Sequence, residues 1–308
     1  MSARLDSVKQ FDSLMQPLSG TNLITERGTV NFSDCGTATR GTVLLVAGLS
    51  MNRSEWSPEL VRDLVSRGYR VIAADNRDWG FTTISHTESN NVPPDGPSYG
   101  LPDLADDLID FLNCLGVGQA HVVGLSMGGM IAQHIALRAP SLVASLTSIM
   151  STTGRRGVGR PHDEIKWVFT TPPPTSTEEE FVAFMVEHHL AISGGLLTDV
   201  DRAIHSARVT WQKGIFSDGT TRQLAAIRAD GDRTELLTSI TVPTLVIHGE
   251  QDPMIDISGG RATADAIHGA RFVLIPRLGH FVHWSIVGGL VDELIVHFER
   301  GNENCLAL

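Results

Sequence analysis

His121-Val122-Val123-Gly124-Leu125-Ser126-Met127-Gly128-Gly129-Met130-Ile131-Ala132 decides how the rest of this chain is read. An apolar run leads into a serine framed by glycines, and a second apolar run leaves it. That order gives a strand, a sharp turn and a helix, with Ser126 at the tip of the turn and at the helix N-terminus. Small neighbours are needed because the strained backbone at the tip packs closely on both strand and helix. The aligned N–H groups behind the serine favour negative charge as it develops. The segment has the form of a nucleophile elbow.

Working outward, strands and helices alternate on both sides of it. Thr42 to Ala47 and Tyr69 to Ala74 are short apolar runs of the kind found in strands covered on both faces. Trp56 to Arg67 has helical spacing and stops at Gly68. Leu101, Leu104, Ala105, Leu108, Phe111, Leu112 and Leu115 recur at three and four residues, an amphipathic helix ended by Gly116. The helix after Ser126 runs to Ala139, before Pro140, and Val143 to Met150 is the next strand. Residues 83–100, rich in Ser, Asn, Pro and Gly, read as a loop. Residues 1 to 28 show little periodicity and read as an extended arm or a short leading helix. Such βαβα alternation predicts an α/β fold with a mostly parallel sheet flanked by helices.

The pattern breaks between residues 152 and 238. Strand signals stop, a Pro172-Pro173-Pro174 cluster appears, and Thr177 followed by Glu180 resembles a capping box. Helices are expected over 178–193 and 199–213. Strands resume at Pro243 to His248 and Ala270 to Ile275, with a helix at Ala262 to Ile267 between them and a closing helix from Val287 to Arg300. The expected organisation is one core, residues 1–151 and 239–308, with an inserted helical cap at 152–238.

The formal net charge is −11, and no run of Lys and Arg offsets it locally. Nucleic acid and anionic membrane surfaces are therefore excluded as partners. Cys35, Cys114 and Cys305 are too few and too scattered for a disulfide framework or zinc site. No basic start with an apolar stretch behind it opens the chain, and no segment is apolar enough to span a bilayer. A soluble, cytoplasmic protein is expected, with no metal or cofactor. His188-His189 point to different faces of a helix, and no His-Glu-x-x-His run occurs. The glycines around Ser126 match neither a phosphate loop nor a dinucleotide fingerprint.

A serine hydroxyl becomes a strong nucleophile when a base takes its proton and a carboxylate orients that base. In an open parallel sheet these groups lie beyond the C-terminal ends of strands, in the order serine, acid, histidine. After the strand ending at His248 comes Gly249-Glu250-Gln251-Asp252-Pro253. After the strand ending at Ile275 comes Pro276-Arg277-Leu278-Gly279-His280. Asp252 is the expected acid and His280 the expected base. Glu250 comes too soon after its strand, and Ser151-Thr152-Thr153 leave no carboxylate after the strand near Met150. His283, three residues past His280, projects differently. Backbone N–H groups of Leu49, in the turn opened by Gly48, and of Met127 are the expected oxyanion donors. Trp167, Phe169, Trp211 and Phe216 lie in the cap as candidate pocket residues, with Trp79 and Met254 beside the core loops.

With these residues placed, the chain resembles enzymes of the α/β-hydrolase fold. The resemblance is carried by Leu44 to Trp56, Asp75-Asn76-Arg77-Asp78-Trp79-Gly80, Gly124 to Gly129, and Val242 through His280. Asp75 to Thr82, Gly249 to Ile255 and Ile275 to His280 are similar to the aclacinomycin methylesterase-like hydrolases, which cleave a methyl ester on a polyketide. Two departures stand out. Ala47-Gly48 replaces the usual His-Gly, and Arg77-Asp78-Trp79-Gly80 replaces Arg-Gly-x-Gly. The resemblance implies a serine hydrolase acting on a carboxylic ester of a hydrophobic small molecule, a methyl ester or lactone, through an acyl-enzyme. A C–C bond hydrolase or a cofactor-free perhydrolase or haloperoxidase-like enzyme with the same triad is the alternative, and a non-catalytic small-molecule receptor a more distant one. Aspartate nucleophiles of dehalogenases and epoxide hydrolases do not fit a serine at position 126.

Overall fold

A computed structural model describes residues 19–84, 97–196, 200–213, 217–282 and 284–306. Most of the leading arm, the middle of the 83–100 loop, Phe216 and His283 lie outside the described residues. The described chain builds a nine-stranded sheet from β1 (Thr21–Ile24), β2 (Gly28–Cys35), β3 (Thr42–Val46), β4 (Arg70–Ala74), β5 (Thr83–Ile84), β6 (Ala120–Leu125), β7 (Val143–Ile149), β8 (Thr244–Gly249) and β9 (Arg271–Ile275). Their order is β1-β2-β4-β3-β6-β7-β8-β9, with β5 beside β2. From β4 to β9 neighbours run parallel, whereas β2 is antiparallel to β1, β4 and β5.

Alternation along the strands assigns the two faces. Leu44, Val46, Ile72, Val122 and Leu146 point to one side, where α2 (Leu101–Cys114) and α3 (Met127–Arg138) bury Leu104, Phe111, Ile131 and Ile135. Val43, Leu45, Val71, Ala73 and Val123 point to the other, against α1 (Pro58–Ser66) and α10 (Val287–Leu306) through Leu60, Leu64, Leu294 and Phe298. Both faces are apolar, so the strands read as continuous hydrophobic runs.

The strand order reverses at β3. Its successor β4 lies on one side and β6 on the other, with Val46 opposite both Ala74 and Gly124. A crevice at such a reversal is where loops of neighbouring strands diverge and a ligand can enter. The turns after β3 and β6 therefore meet at this edge.

Between β7 and β8 the described chain is helical, with α4 (Trp167–Thr170), α5 (Glu178–Ile192), α6 (Val200–Lys213), α7 (Ser217–Asp230) and α8 (Thr234–Leu237). Thr177 Oγ1 accepts the Glu180 amide at 3.2 Å and starts α5, as its spacing predicts.

Several elements differ from the sequence reading. Thr21–Ile24 is an edge strand on β2 rather than a free arm. Helix α1 begins only at Pro58, capped by Ser57, after a 3-10 turn at Arg53–Glu55. Helix α9 (Ile257–Ala266) starts ahead of the expected Ala262, capped by Asp256, whose side chain accepts the Ser258 amide at 3.0 Å. Gly259-Gly260 hid its first turn, because those positions are glycine for contact with Ile255 and the His248 ring. Helix α7 was not anticipated. Its buried side mixes Gln223, which bonds to a loop, with Ala226, which meets the core, so the apolar stripe is weak.

Candidate active site

Ser126 stands between β6 and α3 at φ 56 and ψ −120. A serine pays about 1–3 kcal/mol for such a conformation and keeps it only where its surroundings hold it. Ser126 N donates to Ile149 O at 2.8 Å, and Ser151 Oγ donates to Ser126 O at 2.8 Å. The glycines are needed for close approach. A Cβ on Gly124 would overlap the Gly128 carbonyl, and one on Gly128 would overlap Val46 O. Both obstacles are backbone and cannot rotate away. Gly128→Ala is therefore expected to lower stability by about 3 kcal/mol, read from urea unfolding. Unchanged stability would mean that α3 can retreat from β3.

His280 Nε2 lies 2.9 Å from Ser126 Oγ, and His280 Nδ1 lies 2.7 Å from Asp252 Oδ2. Asp252 is buried, and its other oxygen, Oδ1, accepts the amides of Met254 and Ile255, each at 2.9 Å. Those bonds lock the carboxylate plane toward the imidazole. The three residues come from the ends of β6, β8 and β9, so the sheet alone brings together positions 126, 252 and 280. Glu250 accepts the Arg277 amide at 3.2 Å instead and shapes the turn before His280.

His248, on the last turn of β8, was not read as part of this cluster. It is fully buried, with Nε2 at 2.8 Å from Ile255 O and 3.5 Å from Asp252 Oδ2. Burial holds its imidazole below the ordinary range, so the neutral ring donates from Nε2 and backs the carboxylate. The residue types of the loop gave no hint, because the contact crosses a turn whose shape is set by Asp252.

The loop after β3 lies against the elbow. A Cβ on Gly48 would come within 3.2 Å of Leu125 O and 3.4 Å of the Ser126 Cβ. Asn76 Nδ2 donates to Ala47 O at 2.8 Å, and Met51 N to Gly48 O at 3.3 Å. Met127 follows Ser126 directly and is buried, and Leu49 follows Gly48 and is half-buried. Asp78, standing where the resembling family carries glycine, keeps the left-handed backbone at φ 67. Aspartate tolerates that region better than most residues. Its carboxylate accepts from Tyr99 OH at 2.7 Å and Arg222 Nε at 2.6 Å.

The candidate pocket residues fall in different surroundings. Trp167 meets Phe184 edge-on, with ring centroids 5.7 Å apart, and His188 lies 6.3 Å from Trp167. Burial pushes His188 down to about 4, with His189 and His280 adding to the shift. His189 turns away toward Phe281, at 4.5 Å. Trp211 packs on buried Phe181 at 5.5 Å, between α5 and α6. Trp79 is buried in the β4 loop, and Met254 is half-buried beside Asp252. Phe169 is half-buried. Among the described residues, no group of three acidic, His or Cys side chains is arranged to hold a metal ion, and no helix is long and apolar enough to cross a membrane.

A family model describing the alpha/beta hydrolase fold matches residues 41–184. The chain is similar to rhodomycin D methylesterase DnrP of Streptomyces peucetius, at 27% identity over 298 residues, 90% of this chain and 97% of that protein. Among solved structures, the meta-cleavage product hydrolase CumD of Pseudomonas fluorescens IP01 superposes with a TM-score of 0.70 at 22% identity, covering 94% of this chain and 99% of that one. The enol-lactonase of Burkholderia xenovorans LB400 does so with a TM-score of 0.71 at 20% identity, over 91% and 100%. The chain has the α/β-hydrolase fold, a mostly parallel sheet flanked by helices, and it has methylesterase-like relatives.

Proposed function

We propose that the protein is a serine hydrolase that cleaves a carboxylic ester, a methyl ester or lactone of a hydrophobic small molecule. One observation carries the reading: hydrogen bonds run unbroken from Asp252 through His280 to the Ser126 hydroxyl. In this reading Ser126 Oγ attacks the ester carbonyl carbon while His280 Nε2 takes its proton. The carbonyl electrons move to oxygen, where the Leu49 and Met127 N–H groups receive the charge. The tetrahedral adduct collapses, and the alcohol leaves with the proton from His280. Water then gives a proton to His280 and attacks the acyl-enzyme. The acid departs as Ser126 regains its proton. Asp252 fixes the imidazole tautomer and offsets its charge at both steps. No cofactor or metal enters this scheme.

Residues 152–238 act as a cap over the core, and Trp79, Trp167, Trp211 and Met254 are assigned to the pocket for the apolar part of the substrate. The resemblance to a methylesterase along most of the chain supports a methyl ester. Three scattered cysteines suit a cytoplasmic location. The test is labelling of wild-type protein by a fluorophosphonate probe, followed by turnover of aryl esters, bulky methyl esters, lactones and vinylogous 1,5-diketones. Labelling at Ser126 with methyl esters as the best substrates is expected. Folded protein inert to the probe and to every ester would sink the reading, and preferential diketone cleavage would move it to C–C hydrolysis.

A further inference from the structure

The loop after β3 carries the proposed oxyanion donor Leu49, and its shape is held from outside the sheet. Ser50 sits at φ 56, a left-handed conformation imposed by its surroundings. Its amide donates to Gln223 Oε1 at 3.1 Å, and its hydroxyl lies 2.6 Å from Thr220 Oγ1. Gln223 is fully buried on α7, and its Nε2 donates to Arg77 O at 2.8 Å, in the loop after β4. Both ends of the side-chain amide are used. Turning it over would set N–H against N–H and oxygen against oxygen, so the network fixes its orientation. The same helix is pressed on the β4 loop by Arg222, which donates to Asp78 Oδ2 at 2.6 Å. At Gly219 a Cβ would overlap the Asp78 carbonyl.

We propose that Gln223 is a positioning residue for the hydrolytic reaction, holding the Ser50 amide so that Leu49 N–H stays aimed at the oxyanion. The inference rests on the reading of Ser126 as nucleophile and Leu49 as donor. Anchoring the Ser50 N–H fixes the peptide that follows Leu49. The Met51 N to Gly48 O bond, at 3.3 Å, closes the other end of the turn. With both ends held, the Leu49 N–H has little freedom left. Oxyanion donors are effective because they are oriented before charge develops, and a loose loop must reorganise in every turnover. Helix α7 thus acts on the chemical step as well as on substrate enclosure.

The experiment compares wild type with Gln223→Met, which keeps the volume and loses both hydrogen bonds, and with the milder Thr220→Val. Active-site concentration is set by the end-point stoichiometry of fluorophosphonate labelling, so unfolded protein is not counted. For an aryl ester, Gln223→Met is expected to lower kcat about 10- to 100-fold with KM within about twofold, since the lost interaction is made in the transition state. Affinity for a trifluoromethyl ketone, which forms a tetrahedral adduct on serine, should fall by the same factor. Thr220→Val should move both quantities in the same direction by about threefold. If Gln223→Met fails to fold, Thr220→Val decides alone. A rise in KM at constant kcat, or unchanged ketone affinity, overturns the proposal. Wild-type protein that never reacts with the fluorophosphonate overturns the function reading instead, so the two failures are distinct.

Discussion

Ser126→Ala is expected to lower kcat/KM for an aryl ester by about 10⁵-fold and to remove fluorophosphonate labelling altogether. The size follows from the geometry. His280 Nε2 is 2.9 Å from Ser126 Oγ, so the variant leaves a base without its nucleophile. Residual turnover then comes from water near the proposed oxyanion donors. Alanine at position 126 must still adopt φ 56, but the bonds from Ser126 N to Ile149 O and from Ser151 Oγ to Ser126 O use backbone atoms and survive. The fold should therefore persist, and circular dichroism with urea unfolding checks that. Asp252→Asn should cost less, about 10⁴-fold, because an amide facing His280 Nδ1 favours the wrong tautomer. Retention of more than about a tenth of wild-type activity by Ser126→Ala, set against the loss expected of a nucleophile, would remove this serine from the reaction.

Lowering the pH from 8 to 5 is expected to cost about 4 kcal/mol of folding stability through two core histidines. His121, 1% exposed, lies 2.9 Å from Ser145 Oγ through Nδ1 and stacks on Phe298 at 4.3 Å. His297, 2% exposed, donates from Nε2 to Leu146 O at 3.0 Å. Burial pushes His121 from 6.5 down to about 3 and His297 down to about 4. In the unfolded chain both return to 6.5, so below that pH the unfolded state binds protons that the folded state refuses. The stabilisation is complete above pH 6.5 and is lost as pH falls toward 4. At pH 5 each contributes about 2 kcal/mol of loss. Urea unfolding at pH 8, 6.5 and 5 reads the slope. His297→Gln, which keeps a donor for Leu146 O and cannot titrate, should remove about 2 kcal/mol of the loss. A flat stability between pH 8 and 5 would show that these imidazoles protonate without unfolding the core.

Much of the fold was legible because its signals are local. Short apolar runs such as Leu44–Val46 and Val122–Val123 mark strands buried on both faces, and the 101–115 stripe marks a helix lying on one of them. The edge strands were harder. Thr21–Ile24 is mostly exposed and β5 has two residues, so neither carries a periodic apolar pattern. Helix α7 escaped for a related reason: its inward side hydrogen-bonds to loops through Gln223 and Thr220, and hydrophobic spacing is blind to such contacts.

By itself the sequence determined the alternation of strands and helices, and it marked Ser126, Asp252 and His280. Strand order confines such residues to the C-terminal ends of parallel strands, and glycine marks where the backbone must turn sharply. Only the tertiary structure decided which groups support them: His248 behind Asp252, Ser151 on the elbow carbonyl, and Gln223 between the β3 and β4 loops. It also decided that the turn before His280 docks on the end of α5, where His280 N donates to Ile192 O at 2.7 Å. Apart from His248, which lies four residues before Asp252, these contacts join residues far apart in the chain through single hydrogen bonds. A hydrogen bond leaves no periodicity in the sequence, because any polar side chain that folding brings within about 3 Å of a backbone group can make it.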